Sequence, residues 1–242
     1  AIRHRPGMFI GSTDKSGLHH LVKELIDNSV DEVLGGFCTR IDVKLFADGS
    51  CSVEDNGRGI PFDIHPSYKK PTCEVVMTTL HSGGKFNKKA YSYSGGLHGV
   101  GLSCVNALSE WVHVEIQREE KLYTQQFRRG NPQNKGVIKE MNTGTGTKIH
   151  FLPDARIFRQ ELDFDPKIIE WRLEELSYLH PTCSFGFSIE TKDGWQTNTY
   201  THPHGIQDYV IKKSLARRPV SQNPMFIQAT SEDLSSWYLQ LS

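Results

Sequence analysis

The chain predicts a mixed α and β fold, and two neighbouring stretches carry the prediction. Residues 18–34, LHHLVKELIDNSVDEVL, place Leu18, Leu21, Val22, Leu25, Ile26, Val30 and Val33 at the spacing of an amphipathic helix. Gly35-Gly36 ends that helix, and the pattern then switches to strict alternation. RIDVKLF alternates Ile41, Val43 and Leu45, CSVED alternates Cys51, Val53 and Asp55, and ADGS at 47–50 turns one into the other, so a β-hairpin is expected. Further strands are expected at 111–116, 121–127, 136–141 and 147–152. Asp165-Pro166 is a good cap and first-turn pair for a helix running to about Tyr178. SFGFSIE, a DG turn and QTNTYT make another hairpin, followed by a helix near 205–216. After RRPVSQNP come two more strand-like runs.

Composition narrows the function classes. A length of 242 residues suits one large or two small domains with ample core. Lys plus Arg equals Asp plus Glu at 28 each, so no global basic field draws in nucleic acid, although a local patch is compatible with that balance. No apolar run reaches membrane-spanning length and no signal segment opens the chain. The five cysteines, Cys38, Cys51, Cys73, Cys104 and Cys183, are odd in number and never form CxxC. They are expected to be reduced thiols in a cytoplasmic protein, not a disulfide frame or a zinc site. His202-Pro203-His204 reads as a turn rather than a ligand pair.

Chemistry first shows on the 18–34 helix. Glu24, Asn28 and Asp31 form a polar stripe beside the apolar arc, and His20 lies one turn before Glu24. Such a set could hold a metal or position a water, and it could equally be a solvated helix face. Glu32 is different because it projects into the apolar arc, where a lone carboxylate is costly and a cation should meet it. Arg58 is the candidate. Asp55 shares the parity of Cys51 and Val53, so it is either an acid in an apolar pocket that needs a donor, or the first residue of an Asp-Asn-Gly turn. NTGTGTK at 142–148 opens a strand with glycines and threonines. SGGKFNKKAYSYSGGLHGVG at 82–101 puts a nearly side-chain-free backbone ahead of a helix, which suits a phosphate or a plain flexible loop.

The order ELIDN, DNGRGIP, GGLHGVG, TGTGTK resembles that of the GHKL (Bergerat-fold) ATPases. RPGMFIG, LVKELIDNSVDE, VEDNGRGIP, IHP, LHSGGKF, YSGGLHGVGLSCVNALS and GTGTKIHF together resemble the ATPase subunit of bacterial type IIA topoisomerases, gyrase B or topoisomerase IV ParE. The likeness is dense over residues 3–152 and thinner but continuous beyond. The order does not suit a Rossmann fingerprint, and no P-loop Gly-Lys-Ser/Thr occurs. IDNSVDE leans towards ParE and MFIGSTDKSGLHHLV towards gyrase B, so the two are not separated.

The resemblance implies an α+β two-layer sandwich, with a mixed, mostly antiparallel sheet and helices covering one face. It implies ATP and Mg²⁺ as cofactors. Glu24 is then the general base and His20 its orienting neighbour, while Asn28 is a ligand to Mg²⁺. Asp55 accepts the adenine amino group, Thr147 supports it through a shared water, and Gly59 belongs to the same pocket. Gly96, Leu97, His98, Gly99, Val100 and Gly101 wrap the triphosphate with backbone N–H groups, and Lys85 and Tyr91 reach the nucleotide from a lid. Glu32, Arg58, Pro61 and Arg118 line the pocket mouth where coumarin inhibitors bind. Asn56 stands where gyrases commonly carry a second Asp, which should leave adenine contacts intact. Residues 1–203 correspond to the ATP-binding domain and 204–242 to the start of a transducer domain. The family's dimerising N-terminal arm and the transducer lysine that reaches the γ-phosphate are expected to lie outside the chain. The fragment is therefore expected to be monomeric and weakly active. Partners implied are gyrase A or ParC, DNA through the full enzyme, and a second copy of the full-length subunit, with no membrane. Two rival classes are a non-hydrolysing ATP-gated clamp of the MutL or Hsp90 kind and a GHKL protein kinase. Glu24 with His20 favours a hydrolase over the clamp, and a kinase should lack a water-activating Glu at that position and carry a phosphoacceptor domain upstream.

Overall fold

The computed structural model describes residues 2–80, 100–141, 144–158 and 162–215. A 3-10 turn at Ile2–His4 and the short helix α1 (Gly7–Ile10) lead into the long helix α2 (Lys15–Leu34). This helix starts a turn earlier than its apolar period suggests. The reason is Asp14, whose carboxylate accepts the Ser16 and Gly17 N–H groups as an N-cap. The expected hairpin is β1 (Arg40–Leu45) and β2 (Cys51–Asp55). Then come α3 (Thr72–Thr78) and α4 (Gly101–Leu108), and the strands β3 (Ser109–Arg118), β4 (Lys121–Arg128), β5 (Asn131–Pro132), β6 (Val137–Glu140) and β7 (Gly146–Pro153). The short helix α5 (Ala155–Phe158), α6 (Pro166–Leu179), the hairpin β8 (Ser184–Thr191) and β9 (Gly194–Tyr200), and α7 (Ile206–Leu215) complete the described chain. Asp165 caps α6 through the Lys167 N–H, as its sequence suggests. The strand-like runs expected after 216 lie outside the described residues.

Among the described residues the strands form one sheet in the order β5-β4-β3-β7-β2-β1-β8-β9, with β6 also pairing β4. Of these pairings only β1 with β8 is parallel, so the sheet is mixed and mostly antiparallel. Register explains the core. Phe187, Val43, Val53, Ile149 and Val114 lie side by side across five strands, and Leu45, Cys51, Phe151, Val112 and Phe127 make the next row. These side chains are buried on one face, where Leu18, Leu21, Leu25 and Ile26 of α2, Leu108 of α4 and Leu173 of α6 join them. The third row reads Phe185, Ile41, Asp55, Thr147, Ile116. A carboxylate and a hydroxyl thus interrupt the apolar face at one end of the two central strands.

Two long-range ties fix α4. Asn106 donates to the Met77 carbonyl at 2.8 Å in the buried seam with α3. Arg3 donates to the Ala107 carbonyl at 2.8 Å and to Asp154 Oδ2 at 2.7 Å, while Arg129 reaches the same oxygen at 2.9 Å. Asp154 is 1 % exposed. Burial alone would push its carboxyl up, but the Arg156 N–H and the Arg3 and Arg129 guanidiniums bring it below the ordinary carboxylate range. A depressed folded-state pKa contributes stability that is present above the unfolded value of about 3.9 and is lost as pH falls through the folded one. Asp154→Asn should therefore cost about 1.5–3 kcal/mol at neutral pH, the range for hydrogen bonds between charged groups. In urea melts from pH 7 to pH 3, the difference between parent and variant should shrink towards the acid end; a constant difference would contradict this account.

Candidate active site

The interruption in the apolar face lies under the middle of α2. Asp55 ends β2, and Ser29 on α2 donates its hydroxyl to Asp55 Oδ2 at 2.9 Å. The Gly57 N–H donates to Oδ1 at 2.9 Å. Burial pushes the Asp55 carboxyl up, opposed by the Gly57 N–H, the Ser29 hydroxyl and the Thr147 backbone, with Glu32 adding to the rise. Gly146 faces the same strand end with φ +148, and a Cβ there would fall 2.0 Å from the Asp55 carbonyl oxygen. Only glycine allows the TGTG segment to lie this close. Thr147 stands beside Asp55 in the register, but its hydroxyl accepts the Ile60 N–H at 3.2 Å. Thr147 therefore ties the 56–61 loop to the sheet.

That loop is held from three sides. Gly59 has φ +77, and its carbonyl accepts from Arg118 Nη1 at 3.1 Å. Arg118 also reaches Glu119 at 3.0 Å. Glu32 takes Arg58 in a fork, with Nε at 2.9 Å on Oε2 and Nη2 at 2.8 Å on Oε1, and its Oε2 also accepts the Arg58 N–H at 3.1 Å. The helical wheel thus places Glu32 correctly towards Arg58. The burial expected of the pair is partial, however, because the Arg58 side chain is 36 % exposed and Glu32 14 %. The guanidinium lies over the Phe37 ring at 3.8 Å, which shields one of its faces. Pro61, in the same loop, is exposed. Asn56 points away from Asp55: its amide oxygen accepts the Thr39 and Arg40 N–H groups at 2.9 Å each, and its nitrogen donates to the Thr39 hydroxyl.

The other end of the site is the polar stripe on α2. His20 Nε2 is 3.1 Å from Glu24 Oε1, both side chains about one-third exposed or less. Asn28 donates its amide to the Glu24 carbonyl at 2.8 Å, which leaves the amide oxygen as its acceptor. Asp31 does not share this stripe's exposure, being 2 % exposed. Glu24 reaches across to α4: a Cβ on Gly101 would be 2.1 Å from Glu24 Oε2. Among the described residues no side chain caps α4, so its first N–H groups are left for another acceptor. Val100, at the N-cap, accepts the Ser103 hydroxyl and the Cys104 N–H on its carbonyl. Lys85, Tyr91, Gly96, Leu97, His98 and Gly99 lie outside the described residues.

Sequence reasoning did not single out Ser29. Its signal is a serine set into the apolar arc, four residues after Leu25 and four before Val33, on the helix that faces Asp55. Because the Glu32–Arg58 pair sits at the rim, Arg58→Ala should cost only about 1–2 kcal/mol, less than the loss for a fully buried pair. Thermal or urea melts check this. A loss above about 3 kcal/mol would mean that Glu32 is desolvated far more deeply than its exposure indicates.

The chain is similar to proteins of one ATPase family. The family described as histidine kinase-, DNA gyrase B- and HSP90-like ATPase matches residues 13–157. The DNA gyrase B protein of Thermotoga maritima is 51 % identical over 211 residues, which are 86 % of this chain and 32 % of that protein. The B protein of DNA topoisomerase 4 from Staphylococcus aureus is 49 % identical over 211 residues, 87 % of this chain and 32 % of its own length. The DNA gyrase B protein of a Synechocystis strain is 44 % identical over 236 residues, 96 % of this chain and 22 % of that one. The chain thus spans between 22 % and 32 % of the length of these relatives. The crystal structure of the 43K ATPase domain of Thermus thermophilus gyrase B with an aminocoumarin superposes with a TM-score of 0.83 at 39 % identity, covering 95 % of this chain and 58 % of that one. The α+β two-layer arrangement expected from the motifs is the one observed. This chain belongs to the histidine kinase-, DNA gyrase B- and HSP90-like ATPase family.

Proposed function

We propose that this chain is the ATP-binding and ATP-hydrolysing domain of a type IIA DNA topoisomerase, gyrase B or ParE, which powers strand passage in the full enzyme. The observation that carries the reading is the placement of Glu24. Its carboxylate lies against Gly101 at the N-terminus of α4 and 3.1 Å from His20, while Asp55 lies at the strand end under the same helix, α2. A helix N-terminus favours a phosphate, and a carboxylate beside it is suitably placed to take a proton from an attacking water. His20 orients Glu24. Asp55 accepts the adenine amino group as an ionised acceptor inside a pocket. Glu32, Arg58, Pro61 and Arg118 form the mouth, where a coumarin-type inhibitor would lie.

The Asn28 amide oxygen suits Mg²⁺, a cation that takes hard oxygen donors and keeps several waters. When bound, the ion would offset the charge of the phosphates. Residues 1–203 form the nucleotide-binding domain, and 204–242 begin a transducer. Support for that boundary comes from α7, whose Ile206, Tyr209, Val210 and Ile211 are all more than 40 % exposed and suit a further layer of protein. No helix among the described residues is long and apolar enough to cross a membrane. We place the protein in the cytoplasm, acting with a gyrase A or ParC subunit on DNA and dimerising through the full-length chain. The clamp and kinase alternatives are not favoured, since the relatives above are gyrase B and topoisomerase IV B proteins.

Two measurements test this reading. Glu24→Gln should leave nucleotide binding intact and lower ATP turnover about 10²–10⁴-fold, the usual contribution of a general base. Undiminished turnover would remove Glu24 from that role. Asp55→Asn should weaken ATP binding by about 1.5–3 kcal/mol, because an amide can turn its NH₂ towards the ligand's donor. Unchanged affinity by calorimetry would place the adenine elsewhere.

A further inference from the structure

We propose that Ser29 is a positioning residue for base recognition: its buried hydroxyl, 2.9 Å from Asp55 Oδ2, fixes the orientation of the carboxylate and keeps it an acceptor for the adenine amino group. This rests on the reading of Asp55 as the residue that meets the base.

The hydroxyl's choice of partner points this way first. A serine inside a helix commonly turns its hydroxyl back onto a carbonyl three or four residues earlier. Ser103, Ser177 and Ser214 do so here, donating to Val100, Glu174 and Ile211. Ser29, 4 % exposed, donates instead to a side chain 26 residues away. The groups around Asp55 point the same way. Glu32 faces it from α2, with Arg58 drawn onto Glu32. Cys38 in the turn after α2 and Cys183 just before β8 lie within reach of its charge, and Thr147 of β7 acts on it through its backbone. Among the described residues Ser29 is the side chain that donates to this carboxylate. The Gly57 N–H holds Oδ1 and Ser29 holds Oδ2, so each oxygen has a fixed donor. Two donors on different oxygens set the plane of the carboxylate. They also offset the desolvation that favours its protonated form, which would present a donor to the amine instead of an acceptor.

A purely structural role would look different. If Ser29 only staples α2 to β2, its loss should weaken every nucleotide equally. If it acts through Asp55, the loss should depend on the 6-amino group. The test is calorimetric binding of ATP and of purine riboside triphosphate, which lacks that group, to the native protein and to Ser29→Ala between pH 5 and pH 8. Ser29→Ala is expected to lose about tenfold in ATP affinity, the worth of one hydrogen bond to a charged group. Affinity for the purine analogue should change less than about twofold. The acid limb of ATP binding should also move to higher pH, because Asp55 has lost a donor that favours its ionised form. Equal losses for both ligands, or no loss for either, would overturn the proposal while leaving the Asp55 pocket standing. Failure of the native protein to distinguish the two ligands would remove the pocket reading and this one with it. Ser29→Cys, close in shape and a weaker donor, is measured alongside. It should lie between serine and alanine for ATP alone, and parental affinity for ATP in a folded Ser29→Cys protein would count against the proposal.

Discussion

A carboxylate stands where the inner face of the sheet should be apolar, and the site is organised around that constraint. Asp55 occupies a row with Phe185, Ile41 and Ile116 and is half-buried there, so its charge is partly desolvated. α2 and the 56–61 loop deliver two donors that offset this desolvation. Those donors must be held, and much of the local structure does that. Glu32 anchors Arg58, Thr147 takes the Ile60 N–H, Arg118 takes the Gly59 carbonyl, and Gly146 lets the next strand lie against Asp55 without a clash. Replacing any of these would change the position of a loop whose backbone N–H completes the Asp55 environment.

One helix joins the two ends of the proposed site. Counting along α2, Glu24, with His20 one turn before it, faces the N-terminus of α4, Asn28 follows one turn later, and Ser29 and Glu32 face the strand end and its loop. The spacing of these groups is therefore set by the rise of about 1.5 Å per residue along a rigid rod, not by a loop. The rod itself is held by Leu18, Leu21, Leu25 and Ile26, all 2 % exposed or less. A base at one end and phosphates at the other would be measured against the same ruler. α4 is also fixed at its far end, by Asn106 on Met77 and by Arg3 on Ala107, so its N-terminus is positioned by contacts remote from the site.

How much of this was legible in the sequence depends on the range of the interaction. The period of α2 gave its buried arc, and the same wheel singled out Glu32 as needing a cation. The partner, Arg58, is 26 residues away but emerges from the next strand's end, so a local argument could reach it. The depth of the pair could not be read, because Phe37 and the loop decide how far Arg58 stays in solvent. Alternation placed Asp55 on the face of Val53, yet only the register with β7 shows that Thr147 is beside it. The Arg3–Asp154–Arg129 cluster joins residues 151 positions apart and left no periodic trace. α3 is a short helix without a side-chain cap, whose VVMTT run favours a strand locally. The roles of the glycine-rich residues from 82 to 99 still rest on the motif resemblance, since they lie outside the described residues.

Adenine meeting Asp55 while the terminal phosphate meets the α4 N-terminus beside Glu24 is the central claim. A crystal structure with a non-hydrolysable ATP analogue and Mg²⁺ tests it most directly. The adenine amino nitrogen should lie about 3 Å from an Asp55 carboxylate oxygen, a hydrogen-bond distance. The terminal phosphate should lie at the first N–H groups of α4, with Glu24 facing it and the Ser29 and Gly57 bonds to Asp55 retained. A nucleotide bound with its base away from the ends of β2 and β7, or with its phosphates remote from Gly101, would contradict the account.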